Sequence, residues 1–349
     1  AHSLAWGLPV LETRISLIRP EGQYYRGQAV TDLVDNGASL EDVARLLWDC
    51  GTDDPFSLPP PDPWPAAVRT LLHQPDLPAL ERTAAALPLL APGSVRDLSM
   101  DPARRRQSAA ALLRQTTALL AGTEPSARPA HRVIADAWRP GDTRLAELIR
   151  TALLLCADHE LNASAFAARV VASTGASLHA AVAAGLAALS GPAHGGGTAR
   201  AYAFIQDALK APSIQRYVLS RLQRGEGLPT FGHPLYPQGD PRAALLLRKL
   251  SQLRPRPARL ARLQTLIDAV GEATGKAPST DFALAALADV YELGPQAGLA
   301  LFGAGRVAGW LAHALEQQAS GVLIRPRASY VGLAPTGLQN PHPRRKRQI

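Results

Sequence analysis

The chain has 349 residues, 46% of them hydrophobic and 19% charged, enough apolar material for a large core in one domain or two, and too much for a disordered chain. Its formal net charge of +8 could attract phosphates. The arginines are spread along the chain, however, and the one dense run, the terminal PRRKRQI, reads as a solvated tail, so nucleic acid is not expected as a partner.

Two cysteines, Cys50 and Cys156, give no disulfide framework and fit a reducing compartment. The apolar windows at 178–191 and 281–315 are interrupted by His179, and by Asp289, Glu292 and Arg306, too often for a membrane span. The opening AHSLAWGLPV lacks the basic and apolar regions of a secretory signal. A soluble cytoplasmic protein is expected.

In chain order, ETRISLIRPEGQYYRG (12–27) alternates weakly around a Pro-Glu-Gly turn, which predicts a short hairpin with Ile15 and Leu17 on one face. Ser39 caps a helix with Asp42 three residues on, and Val43, Leu46 and Leu47 form its apolar stripe. The prolines of 54–65 predict a loop. Asn162 opens a helix that Gly175 ends, and Ser177 caps the next, with Leu178, Val182, Leu186 and Leu189 at helical spacing. Strand and helix do not alternate as a parallel sheet requires, and no repeat is visible, so the fold reads as all-α.

Polar islands interrupt this background. In CADHELNAS (156–164) a zinc-protease helix is excluded, because a second histidine is needed where Ala163 stands. In SGPAHGGGTAR (190–200) His194 precedes three glycines that can open a helix, whose free N–H groups favour a neutral imidazole. GLPTFGHPLYPQGDPRA (227–243) holds His233 and Arg242 in a stretch too rich in proline and glycine for regular structure. Further on come PSTDFALAALADVYELG (278–294), with Asp281, and the segment 302–332, with Arg306 and Arg325. Singly, Asp281 reads as a helix N-cap and each arginine as an ion-pairing residue. The histidines lack the local spacing of a metal site, and none is expected.

Taken in order, ADHELNAS, GPAHGGG, FGHPLYPQGDPR, TDFA, LFGAGRVAGWLAHALEQ and LIRPRASYVG resemble the citrate synthase family, as does the opening ETRISLI…YYRGQAV, so the likeness runs from about residue 9 to 332. It implies a mostly helical, two-domain homodimer, with a large domain at 1–196 and 296–349 and a small domain at 197–295 that closes over the substrates. It also implies condensation of acetyl-CoA with oxaloacetate and hydrolysis of the citryl thioester, with no metal or redox cofactor and the CoA thioester as co-substrate. Asp281 would be the base, neutral His194 the donor to the thioester oxygen, and His233 the group that polarises the ketone and protonates the alkoxide. His159, Arg242 and Arg306 would bind carboxylates, Arg325 would reach in from the partner subunit, and Asn162 falls beside the same pocket. Leu228, Thr230, Phe231 and Gly232 would offer backbone groups to CoA.

The chain departs from the family pattern at four places. Pro234 and Pro237 replace basic residues, Ser279-Thr280 replaces Asn-Val before the base, and Cys156 stands where many members have histidine. These departures bear on acyl-CoA affinity and keep open a propionyl-CoA-using 2-methylcitrate synthase or a ligand-sensing homologue. The loop variant also resembles a bacterial subgroup in which a helix-turn-helix segment can precede the synthase domain. No such segment is read in these residues.

Overall fold

The weak alternation after Glu12 becomes a three-stranded antiparallel sheet, β1 (Ser16–Arg19), β2 (Gly22–Tyr25) and β3 (Gln28–Ala29). Arg19 pairs with Gly22, so Pro20 and Glu21 form a two-residue turn. Ile15 is fully buried whereas Leu17 is half exposed, contrary to their expected common face. Ile15 lies in a bend before β1, so the pleat that sets alternation along a strand does not carry back to it.

The computed structural model describes residues 11–74, 76–91, 101–253, 255–326, 330 and 332–333. Apart from this sheet, the regular structure among them is helical. After the sheet come α1 (Val30–Asp35), α2 (Leu40–Leu47), α3 (Ala66–Leu72), α4 (Ala79–Leu90), α5 (Pro102–Ala121), α6 (Ala130–Trp138) and α7 (Thr143–Cys156). Ser39 and Asp42 form a reciprocal capping box at the start of α2, and residues 54–65 carry no helix or strand.

The second half holds α8 (Ala163–Ser173), α9 (Leu178–Leu189), α10 (Gly196–Lys210), α11 (Ile214–Gln223), α12 (Pro241–Leu253), α13 (Pro257–Thr274), α14 (Thr280–Val290) and α15 (Ala297–Ser320). Asn162 and Ser177 cap α8 and α9 through their side chains, and Leu178, Val182, Leu186 and Leu189 are buried. Within 196–290, α10 packs on α13 and α14, α11 on α13, and α12 on α14.

Helix α15 is the hub, packed against α2, α5, α7, α8, α9 and α14. Its glycines allow this crowding. A Cβ on Gly305 would lie 2.5 Å from the Leu153 carbonyl oxygen, and one on Gly309 would collide with the Ala157 carbonyl and the Asp158 carboxylate. The close approach places Arg306 beside the end of α7, where the chain turns into the first polar island.

Among the described residues no helix is long and apolar enough to cross a membrane.

Candidate active site

Helix α7 ends at Cys156, and the next six residues are held by β1, α15 and the start of α8. The buried Asp158 carboxylate accepts from the Ser16 hydroxyl and from the Glu160 N–H at 3.0 Å, and lies 3.2 Å from His313 Nε2 of α15. Burial opposes its charge, but His313 and Arg306 outweigh that and hold its pKa below the usual carboxylate range. Glu160 adopts φ +56°, a left-handed conformation that costs a non-glycine residue energy and persists where surroundings impose it. Asn162 Oδ1 accepts from the N–H groups of Ser164 and Ala165, both at 3.2 Å, while its Nδ2 donates to the carbonyls of His159 and Glu160 at 3.2 and 3.3 Å. Asn162, expected beside a substrate, is thus engaged in capping α8 and fixing the backbone of His159.

The second wall is the stretch before α12. Phe231 pairs with Pro278 in an antiparallel bridge, closed by Gly232 N–H to the Ala277 carbonyl (2.8 Å) and Ser279 N–H to the Thr230 carbonyl (2.9 Å). Thr230 and Gly232 both have positive φ. The Phe231 ring packs on Phe282 and Phe204, and its own N–H and carbonyl face away from the bridge, as the antiparallel pattern dictates. Of the backbone groups expected to meet CoA, the Gly232 N–H and Thr230 carbonyl are therefore already paired, and the Phe231 groups face outward. The half-buried Leu228 packs against the core.

His233 follows, and its Nδ1 accepts the Leu235 N–H at 3.2 Å. Burial, then Arg242, pull its pKa below the ordinary histidine value. A neutral ring with Nδ1 as acceptor carries its proton on Nε2. Arg242, expected in the irregular stretch, instead sits in the first turn of α12, which Pro241 opens, and it donates from Nε and Nη2 to the two oxygens of Asp240 at 2.9 and 2.8 Å. Burial opposes the charge on Arg242, Asp240 more than offsets it, and the pKa is raised. Asp240 Oδ2 also takes the N–H (3.0 Å) and hydroxyl (2.7 Å) of Thr280. One carboxylate thereby ties Arg242 to the start of α14, which carries Asp281.

Asp281 is not the N-cap expected of it singly. Ser279 holds that position, and Asp281 lies one residue inside the helix, its carboxylate pressed on Gly197 so closely that a Cβ there would be 2.6 Å from Cγ. Burial raises its pKa to about 6. Gly197 belongs to the glycine run that opens α10, as anticipated, three residues beyond His194.

His194 Nε2 lies 2.8 Å from Ser164 Oγ, and burial, followed by Arg306, lowers its pKa to about 4. Ser164 Oγ accepts the Trp310 indole N–H at 3.0 Å and donates to Asn162 Oδ1 at 2.7 Å. Turned instead to His194 Nε2, that one hydroxyl proton leaves the imidazole proton on Nδ1, the arrangement in which His194 can donate outward. Neutrality at His194 comes from burial and a nearby cation; the helix start was the expected cause.

Arg306 is almost fully buried. Its Nε donates to the Cys156 carbonyl at 2.7 Å and its guanidinium stands 4.5 Å from the centre of the Phe302 ring, while its terminal nitrogens have no partner among the described residues. His159 completes the set, its ring 5.7 Å from that of His233 and its Nε2 3.1 Å from the Tyr236 hydroxyl. Burial, then Arg242 and Arg306, hold it well below the ordinary histidine value.

A ring contact thus joins His159 to His233, both feel the charge of Arg242, and His159 and His194 feel that of Arg306, with Asp281 on an adjoining element. Arg325 does not join them. It is exposed, and its neighbour Ile324 donates from N–H to Ser173 Oγ, at the end of α8 opposite Asn162 and roughly 16 Å along that helix. Sequence reading gave no role to Asp158, Ser164, Tyr236 or Asp240, although all four lie inside the quoted islands within three residues of a chosen residue. Among the described residues no group of three or more His, Cys, Asp or Glu side chains is disposed to hold a metal ion.

Comparison with known proteins matches residues 4–327 to the family model "Citrate synthase, C-terminal domain". A Mycobacterium tuberculosis protein named "Putative citrate synthase 2" is 34% identical over 336 residues, covering 89% of this chain and 87% of its own. A 2-methylcitrate synthase of Shewanella oneidensis is 33% identical over 192 residues, 54% of this chain and 51% of its own. The citrate synthase of Thermoplasma acidophilum, solved as a ternary complex with carboxymethyl coenzyme A and oxaloacetate, aligns with TM-score 0.80 and 25% identity over 97% of this chain and 98% of that one.

Proposed function

The chain belongs to the citrate synthase family and is an acyl-transferring, condensing enzyme; from that premise we propose that it joins acetyl-CoA to oxaloacetate and hydrolyses the citryl thioester to citrate and CoA. The observation that carries this reading is the Asp281 carboxylate, held against Gly197 with its pKa raised to about 6, in a site where the Asp240 carboxylate is committed to Arg242 and Thr280 and the remaining groups are neutral imidazoles and guanidinium groups. A thioester methyl is a weak carbon acid, so its proton needs a base in line with it and a donor where negative charge develops on the carbonyl oxygen. A partly desolvated carboxylate suits the first task. His194, donating from Nδ1, suits the second without becoming a strong acid itself.

The carbon nucleophile then attacks the ketone of oxaloacetate. His233 Nε2–H lies on the keto oxygen, polarises it and gives the alkoxide its proton, while water hydrolyses the thioester. The two substrate carboxylates are held by the free edges of Arg242 and Arg306 and by His159, because a planar guanidinium pairs with a carboxylate through two parallel N–H bonds. Arg325 reaches the site of the partner subunit in a homodimer, which accounts for its distance from the site of its own chain. The segment 197–295 acts as the small domain that closes over the substrates and excludes water.

CoA lies along 228–232, its adenine against the outward-facing backbone of Phe231. The Lys276 stem passes Gly232, with Cδ 3.3 Å from where a Cβ would stand. It provides a cation near the positions where Pro234 and Pro237 supply none. The reaction needs no metal or redox cofactor. Both cysteines are free and buried, in keeping with work in the cytoplasm.

The likeness to a 2-methylcitrate synthase makes propionyl-CoA the competing acyl donor, since one methylene changes binding by only about 1–3 kcal/mol. The test is release of CoA thiol with oxaloacetate and each donor, beside an Asp281→Asn control. Turnover abolished by the Asn change, and faster with acetyl-CoA, is expected. Faster turnover with propionyl-CoA reassigns the acyl donor, and absence of turnover with bound oxaloacetate reassigns the protein as a ligand-binding homologue.

A further inference from the structure

Tyr236 stands among the substrate-facing groups without a role in the reaction described above. It is 1% exposed, yet its hydroxyl lies 3.1 Å from His159 Nε2, its ring centre 4.9 Å from that of His233, and the Arg242 guanidinium 5.2 Å from its face. One side chain thus touches three groups proposed to hold oxaloacetate. The backbone fixes it, with its N–H donating to the His233 carbonyl and its carbonyl accepting from Gly239 N–H.

A tyrosine hydroxyl and a neutral imidazole share one hydrogen bond in one of two directions. Among the described residues the Tyr236 hydroxyl has no acceptor except His159 Nε2, and a buried hydroxyl that fails to donate is costly. The phenol stays protonated, because burial pushes its pKa up to about 12. Tyr236 therefore donates, and the single imidazole proton of His159 resides on Nδ1, which has no hydrogen-bond partner among the described residues.

We infer that Tyr236 is a positioning residue for oxaloacetate: its hydroxyl fixes His159 with the proton on Nδ1, ready to donate to a carboxylate, and its ring braces His233 and Arg242. Leu235 N–H does for His233 what Tyr236 does for His159, so the two adjacent rings carry their protons on opposite nitrogens, one aimed at a carboxylate and the other at the ketone. This rests on the oxaloacetate reading above. Tyr236 sets affinity for the keto acid, and proton removal from the acyl donor lies outside its reach.

Steady-state kinetics of Tyr236→Phe and Tyr236→Leu, with nitrogen NMR of histidine-labelled protein, test this. The Phe change should raise KM for oxaloacetate about tenfold, the order of one lost hydrogen bond, with KM carrying most of the loss in kcat/KM. The Leu change should raise it further by uncovering Arg242. In the free wild-type protein His159 should show one tautomer, protonated at Nδ1, and in Tyr236→Phe a mixture. An unchanged KM and tautomer in the Phe variant, or a wild-type proton on Nε2, overturns the inference. A wild-type protein that binds no oxaloacetate overturns the functional reading and the affinity role with it, while the tautomer of the free protein still decides the rest.

Discussion

At the scale of single residues the site works by withholding charge. Three histidines are kept neutral by burial and by Arg242 and Arg306, and Asp281 is pushed toward neutrality chiefly by burial, with the Asp240 carboxylate adding to it against the nearby arginines. Only the ionised carboxylate can take a proton, so kcat/KM should rise with pH through about 6 and level off above, a limb that pH–rate measurements on the free enzyme will show. The same shift has a stability consequence. Because the folded pKa exceeds the ordinary 3.8, the native state binds more protons than the unfolded chain between about pH 4 and 6. Stability is therefore lost as pH rises through that window, by up to ~3 kcal/mol before solvent screening. Asp281→Asn should melt above wild type at pH 7, with the difference vanishing near pH 4; equal melting at both pH values would remove burial strain from the account of this base. Ser164→Ala should lower kcat about tenfold or more with little change in KM for oxaloacetate, because His194 loses the partner that fixes its donating nitrogen.

At the scale of elements, α15 sets the geometry, and its glycines permit it. Gly309→Ala would drive a methyl into the Ala157 carbonyl and the Asp158 carboxylate, whereas Gly303→Ala meets side chains only at 3.5–3.6 Å, an ordinary contact. The first change should destabilise by ~3 kcal/mol, the upper end for overpacking, and the second by far less, as denaturant unfolding will show. This contrast also marks how far the sequence could be read. Capping residues, apolar spacing and proline clusters announced α2, α8, α9 and the loop at 54–65, since those signals act within one turn of the chain. The proposed catalytic set came from six motifs whose order pointed to a family. Of the residues that escaped, two are held by long-range contacts: Asp158 is anchored by Ser16 and His313, and Ser164 by Trp310, partners about 140 to 155 residues away in the numbering. Asn162 was assigned to the pocket because its neighbours belong there, but its amide is engaged in capping. Leu17 failed through a local cause, the bend at Ile15.

At the scale of the whole molecule, Arg325, proposed as a carboxylate-binding arginine, stands away from the site of its own chain. Arg325 lies beyond the far end of α8, exposed, and no rearrangement confined to side chains would carry it roughly 16 Å to the N-terminus of that helix. If a second copy supplies it through a two-fold interface, each site takes Asp281 from one chain and Arg325 from the other. Arg325→Ala and Asp281→Asn homodimers should then both be nearly inactive, for different reasons: the first through a weakened grip on a carboxylate, the second through loss of the base. Mixed dimers recombine these defects. One of their sites joins an intact Asp281 to an intact Arg325, and the other carries both substitutions. Random co-assembly of equal amounts makes about half the dimers mixed, each with one working site of two, so about a quarter of wild-type activity per chain should return. Recovery to that level in co-expressed protein, against none in a mixture of separately folded homodimers that do not exchange subunits, requires a site built from two chains. If co-assembly restores nothing while size measurements show a mixed dimer, Arg325 serves no partner site and the carboxylates are held by Arg242, Arg306 and His159 alone.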